Sequence, residues 1–219
     1  SLIFKDSNMS LFYLQFIDRI QFFLYSRNKE DFMARLSEMT IGELWALFPI
    51  FLVAYKKEWQ DYYQEEKVIL LGTIKPVSYL RISHIGSTAV KGIYAKNIVD
   101  ILLEVEQDDF MLCLSKLKNE GYILMDQQSN RAIFNKGYSE QGFLEKVYHI
   151  HLRVKGDHDE LYFRDYLLEH EDVARRYEAL KLSLWKMFEH DRDGYTNAKG
   201  DFILELTNKA REIYQNRYE

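Results

Sequence analysis

Two segments of the chain alternate between apolar and polar positions with the period of a half-buried β-strand. In residues 98–105, Val99, Ile101, Leu103 and Val105 share one face, and Asp100, Leu102 and Glu104 share the other. In residues 145–154, Tyr148, Ile150, Leu152 and Val154 face one way; Val147, His149, His151 and Arg153 face the other. A shorter strand is predicted over residues 80–85, closed by Gly86 and Ser87. Two more are predicted over 122–124 and 132–135, followed by a loop over 137–142. Between the strands, Asp108 is expected to cap a helix running through Lys118, with Gly121 ending it.

Outside this central region the pattern changes to the helical period. Phe12, Phe16, Ile20, Phe23 and Leu24 fall on one helical face. Thr40 fits an N-cap with Glu43 as its capping-box partner, ahead of Leu44, Leu47 and Phe48. Residues 51–71 read as a further helix, and Pro76 breaks the run. From Leu161 onward the chain reads as helical, interrupted near residues 191–194. Helices, then mixed strands and helix, then helices again predict an α+β fold with a small mixed sheet.

Composition narrows the classes. A length of 219 residues suits one domain with an extension, and 14 Phe, 16 Tyr and 3 Trp offer too much apolar surface for a disordered chain. The net charge of −5 argues against nucleic acid as a partner recognised over the whole surface. The single cysteine, Cys113, lies in an apolar run, so it reads as a buried thiol and rules out an internal disulfide. No stretch of about 20 uncharged apolar residues suggests a membrane span. The most apolar early run, residues 11–25, contains Asp18 and Arg19 and lacks the flanks of a signal peptide, so the cytoplasm is the expected compartment.

Three features carry candidate chemistry. Gly86-Ser87-Thr88 follows His84 at a predicted strand-to-helix junction, where backbone N–H groups can face a phosphate. Asp100 is a carboxylate in an otherwise apolar strand, a costly placement unless it is paired, binds a cation or is catalytic. His149 and His151 share a strand face, with Cα atoms roughly 7 Å apart, so both imidazoles can converge on one metal ion or phosphoryl group.

The run from His84 to Leu102 resembles the signature of the GrpB family, small proteins of the nucleotidyltransferase-like superfamily. The likeness continues in Tyr148-His149-Ile150-His151-Leu152, Phe163-Arg164-Asp165-Tyr166-Leu167 and Tyr195-Thr196-Asn197-Ala198-Lys199. It covers roughly residues 49–212, leaving 1–48 as an N-terminal helical extension to a domain over 49–219. Lys91 and Asn97 stand where the family often has proline.

The resemblance implies a nucleotidyltransferase-like sheet flanked by helices, and a phosphate-handling site. In that superfamily a Gly-Ser turn precedes a strand bearing two acids that hold Mg²⁺ ions. This chain keeps Gly86, Ser87 and Asp100, but Leu102 stands at the second acid position, and Glu104 lies about 13 Å from Asp100 along the strand. Two readings follow. In one, Asp100 with His149 and His151 holds a divalent metal (Mg²⁺, Mn²⁺ or Zn²⁺) for nucleotidyl or phosphoryl transfer, with Asp100 catalytic. In the other, the pocket binds a nucleotide or another phosphorylated small molecule without turning it over. His84, Gly86, Ser87, Thr88, Lys96 and Arg131 are candidate phosphate-binding residues in either case. So is Arg164; Asp165, about 100° round the same predicted helix, is read as a structural partner on another face. Lys181 and Lys199 match basic positions of the family pattern. The stripe of Tyr177, Leu180, Leu184 and Phe188 reads as core packing. The N-terminal helices are candidates for self-association.

Overall fold

A computed structural model describes residues 38–218. The aromatic face from Phe12 to Leu24 therefore lies outside the described residues. The compact unit Ile41–Glu219 begins with helix α1 (Ile41–Leu47), which starts directly after the expected cap, Thr40.

The chain then runs through β1 (Leu52–Val53), α2 (Glu58–Thr73), β2 (Tyr79–Ile85), a single 3₁₀ turn (Ser87–Ala89), β3 (Ala95–Lys96), β4 (Val99–Val105) and α3 (Gln107–Asn119). It continues with β5 (Ile123–Gln127), β6 (Arg131–Ser139), β7 (Gly142–Val154), α4 (Asp159–Glu169), α5 (Glu171–Met187), α6 (Arg192–Asn197) and α7 (Gly200–Tyr214). Five strands form a sheet in the order β2-β4-β7-β6-β5. β4 and β7 are parallel and every other pair is antiparallel, giving the expected small mixed sheet flanked by helices.

Alternation in β4 and β7 sets the two faces. Val99, Ile101, Leu103 and Val105 pack with Tyr148, Ile150 and Leu152 against Trp59, Tyr63 and Leu70 of α2 and Phe110, Cys113 and Leu117 of α3. Burial pushes the Cys113 thiol up to about 12, as suits a core hydrophobe. On the other face Leu102 packs with Ile85 and with Leu161 of α4. Phe163 and Tyr166 of α4 join Tyr177 of α5 and Leu206 of α7 in a second apolar cluster. Among the described residues no helix is long and apolar enough to cross a membrane.

Four local readings change. Residues 51–57 are not helical: Leu52 and Val53 pair with Lys96 and Ala95, and burying Leu52 in that ribbon outweighs the helical period. Residues 137–142 are not a loop, because β6 and β7 run on into a tight hairpin in which Tyr138 pairs with Phe143. Gly137 (φ +89°) sits at a register shift, and a Cβ there would lie 2.9 Å from Val147 Cα, so this glycine makes a bulge rather than a break. Asp108 does not cap α3, whose N-cap position is Glu106; Asp108 lies in the first turn, where its charge meets the positive end of the helix dipole. The C-terminal run is broken at His170 and around Ala198 as well as before Arg192. Asn97, where the family often has proline, accepts from Trp59 Nε1 at 2.8 Å and so ties the approach to β4 onto α2.

Candidate functional site

Parallel pairing of β4 and β7 places Asp100 beside His149 and Leu102 beside His151. Asp100 Oδ1 accepts from His149 Nδ1 at 3.2 Å and from His151 Nε2 at 3.3 Å. Burial pushes the Asp100 carboxyl up, but these two hydrogen bonds outweigh it and hold the group well below the usual carboxylate range. Burial lowers His149 to about 4, so its ring is neutral at pH 7. Its Nε2 accepts from the Tyr138 hydroxyl at 2.9 Å and lies 3.3 Å from Arg192 Nη2, while Arg192 also donates to Tyr138. His151 Nδ1 accepts from Arg153 Nη2 at 3.2 Å. A guanidinium has no acceptor, so each imidazole turns a ring lone pair to an arginine and an N–H to Asp100.

β2 ends beside this cluster. Gly86 has φ +70° and ψ −171°, a region almost closed to other residues, and a Cβ there would lie 3.0 Å from Asp100 Cγ. The turn after it is a three-residue 3₁₀ segment, not the start of the predicted helix, so no α-helix dipole adds to anion binding there. What the turn offers is Ser87, a hydrogen-bonding neighbour of Tyr177, and Thr88, whose hydroxyl donates to Ile98 O at 3.2 Å. Gly86→Ala is expected to lose about 1–3 kcal/mol of stability to backbone strain and to displace the Asp100 carboxylate. Thermal unfolding checks this, and a melting curve superimposable on wild type would contradict it.

These elements and α4–α7 enclose a cavity of about 340 Å³. Its lining includes Ser87, Thr88, Asp100, His149 and His151, and three lysines brought from β3, α5 and the start of α7: Lys96, Lys181 and Lys199. None of the three has a carboxylate within 4.0 Å among the described residues. Lys181 Nζ donates to Tyr94 O and lies 4.8 Å from the Tyr177 ring centroid; Lys199 Nζ lies 4.0 Å from that of Tyr195. Burial, then Arg192 and Lys199, lower Lys96 to about 7. Burial and then Lys199 lower Lys181 to about 7. Burial lowers Lys199 to about 8, with Asp100 opposing and Arg192 adding to the shift. Asp159 and Glu160 also line the cavity, but they are taken by Arg211 and Arg153 respectively. Tyr195, another lining residue, has a buried hydroxyl with no hydrogen-bond partner among the described residues.

Three sequence candidates lie outside the lining. His84 stacks on Tyr63 and bonds Thr88 Oγ1 at 2.9 Å, supporting the turn from behind. Arg131, at the start of β6, pairs with Asp157 at 2.8 Å. Arg164 donates to His84 O at 3.0 Å and pairs with Asp165, so it braces the strand that leads into Gly86. The helical angle between Arg164 and Asp165 does not keep them apart, because the long guanidinium arm folds back across it. Tyr138, Arg192, Arg153 and Tyr195 belong to the site without having been singled out for it; Tyr138 stood in the supposed loop and Arg192 in the supposed helix break.

A ligand-capable atom from each of Asp100, His149 and His151 lies within 4.8 Å of the others. One carboxylate oxygen and two imidazole nitrogens suit Mn²⁺ or Zn²⁺ better than Mg²⁺. The surroundings of His151 do not fit a metal. A ligating histidine normally gives its other N–H to an acceptor; the Tyr138 hydroxyl can serve His149 Nε2, but the outer nitrogen of His151 meets the Arg153 guanidinium, which can only donate. Leu102 at the second acid position is fully buried against Ile85 and Leu161. Leu102→Asp is therefore expected to destabilise the fold by at least about 3 kcal/mol rather than complete a metal site. Denaturant unfolding tests this, and a loss below about 1 kcal/mol would contradict it.

A family model described as GrpB protein matches residues 49–209. The glutamate-rich protein GrpB of Alkalihalophilus pseudofirmus is 34% identical over 167 residues, covering 73% of this chain and 95% of that protein. The UPF0157 protein YqkA of Bacillus subtilis is 26% identical over 183 residues, covering 82% of this chain but 52% of its own length. A crystal structure described as conserved protein GrpB from Enterococcus faecalis superposes with a TM-score of 0.65 at 27% identity, covering 75% of this chain and 99% of that one.

Proposed function

The chain belongs to the GrpB family, and from that premise and the charge of its cavity we propose that it binds a phosphate-bearing small molecule, a nucleotide or another phosphorylated metabolite. The carrying observation is a set of three cavity lysines without carboxylate partners, Lys181 and Lys199 buried and Lys96 half-buried. Buried ammonium groups that crowd one another are costly, and a multiply charged anion removes that cost. The volume, about 340 Å³, is at the small end of ligand pockets. Ser87 adds a hydroxyl group to the lining, and the free Tyr195 hydroxyl adds a donor.

Calorimetry with ATP, ADP and pyrophosphate, and with adenosine as a neutral control, tests this reading. Binding of the phosphate compounds and not of adenosine is the expected result; silence from every phosphate compound at millimolar concentration would overturn it.

The lysines also give a pH signature. An anion stabilises their charged forms, so binding at pH 8 is expected to take up protons, and affinity is expected to fall as pH rises from about 7 to 9. The charged and titratable groups facing them, besides one another, are Asp100, His149, Arg192, Glu178, Tyr177 and Tyr195. Among these Tyr177 and Tyr195 lie well above that window, raised by burial. Calorimetry at pH 8 in two buffers of different ionisation enthalpy measures the uptake directly.

The convergence of Asp100, His149 and His151 favours a second reading, a metal-dependent nucleotidyl or phosphoryl transferase. Those three residues would then hold a divalent ion, which neutralises charge on a phosphoryl group when bound. Its mark would be anion binding that requires the metal.

A further inference from the structure

We propose that Lys96, Lys181 and Lys199 take the place of a divalent cation, so that the cavity binds its anion without metal, and that Asp100 with His149 and His151 forms a hydrogen-bonded clamp. This rests on the anion-binding reading above and names the ligand form, a metal-free phosphate dianion or diphosphate.

The clamp follows from hydrogen-bond direction. A metal at Asp100 would need the lone pairs of His149 Nδ1 and His151 Nε2. The remaining proton of each ring would then move to the outer nitrogen. His149 Nε2–H could still donate to the Tyr138 hydroxyl at 2.9 Å, but His151 Nδ1–H would face Arg153 at 3.2 Å, donor against donor. Arg153 cannot swing aside cheaply: it is buried, bonds Glu160 at 2.7 Å and also donates to the carbonyls of Ala132 and Leu152.

The lysines supply the second half. A divalent cation would enter a space lined by three amines, against one carboxylate not held by an arginine, Asp100, whose Oδ1 already faces two histidine N–H groups. Adding positive charge there is unfavourable, whereas adding phosphate oxygens gives each amine a partner. Leu102 removes the second acid that a pair of metal ions would need, and Glu160, another acid of the lining, gives its Oε1 to Arg153.

The test uses the full chain passed over a chelating resin, with its metal content verified, and pyrophosphate as the probe. Binding measured by calorimetry without metal is expected to equal that with Mg²⁺, Mn²⁺ or Zn²⁺ within about 3-fold. Mn²⁺ or Zn²⁺ alone is expected to give no saturable heat. Asp100→Asn, checked for folding by circular dichroism, is expected to bind pyrophosphate roughly 3–10-fold more tightly, because the cavity loses the charge of its one carboxylate that no arginine holds. Binding that appears only with metal, or that disappears in a folded Asp100→Asn variant, would overturn the proposal and favour the metal site. If Asp100→Asn does not fold, the wild-type comparison with and without metal decides alone. If pyrophosphate, phosphate and ATP all fail to bind with or without metal, the anion-binding reading itself falls.

Discussion

Lys181→Met is expected to bind pyrophosphate about 10–100-fold more weakly than wild type and yet to unfold at a higher temperature at pH 7. The loss comes from one charge-assisted hydrogen bond to the anion, worth about 1.5–3 kcal/mol. The gain comes from the empty protein. Lys181 is 2% exposed, and burial followed by repulsion from Lys199 lowers it to about 7. In the unfolded chain the same amine titrates near 10.4. Between those values the unfolded chain holds the extra proton, so the penalty on the folded state is full below about pH 7 and fades as pH rises to about 10. Methionine fills a similar volume without charge, at the cost of the hydrogen bond to Tyr94 O. A net gain of roughly 1–3 kcal/mol at pH 7, shrinking as pH rises, is the expected balance. Melting curves of both proteins from pH 6 to 10, with pyrophosphate titrations at pH 7, provide the check. A variant less stable than wild type at pH 7 would show that Lys181 is a structural residue satisfied by Tyr94. Unchanged affinity would remove it from the anion site.

Such a trade between stability and binding was only partly legible in the sequence. The faces of β4 and β7 follow from alternation alone, because a strand period of two leaves no choice of side once Val99, Ile101, Tyr148 and Ile150 enter the core. That puts Asp100 on the same side of the sheet as His149 and His151 when the strands pair in parallel. The register that sets Asp100 opposite His149 is a property of the pairing and has no signal in either strand. The lysines are harder still. Lys96, Lys181 and Lys199 stand on three separate elements, and only the family pattern marked the last two. The outer partners of the histidines were hidden for local reasons. Gly137 looked like loop punctuation and so concealed Tyr138, and Arg192 follows directly on the turn that separates α5 from α6. His84, Arg131 and Arg164 show the opposite error: their residue types suit phosphate, but the Thr88 hydroxyl, the Asp157 carboxylate and the His84 carbonyl claim them, in that order, before a ligand can.

Glu104 illustrates how position along one strand separates chemistry from architecture. It shares a face with Asp100, yet it sits at the far end of β4, 2% exposed, and accepts three hydrogen bonds: from Arg81 Nη1 at 2.8 Å, Gly156 N at 2.8 Å and His158 Nδ1 at 2.9 Å. These donors belong to β2, to the turn after β7 and to the residue that precedes α4, so one carboxylate joins three elements behind the cavity. Arg81 also donates to Tyr218 O, which extends the junction to the C-terminal segment. Removing the carboxylate leaves a buried imidazole N–H and a backbone N–H without an acceptor, while the partly exposed Arg81 can turn to water. Glu104→Ala is therefore expected to cost about 3–5 kcal/mol, or about 10 °C in Tm for a domain of this size. Glu104→Gln keeps one acceptor oxygen and the side-chain volume and should recover part of that loss. Denaturant unfolding of both variants measures the difference, and pyrophosphate binding at a temperature where both are folded should stay within about 3-fold of wild type, because Glu104 does not line the cavity. A Glu104→Ala variant within about 1 kcal/mol of wild type would show that water replaces the carboxylate at this junction. Loss of binding in a stable, folded variant would place Glu104 in the ligand site instead of beneath it.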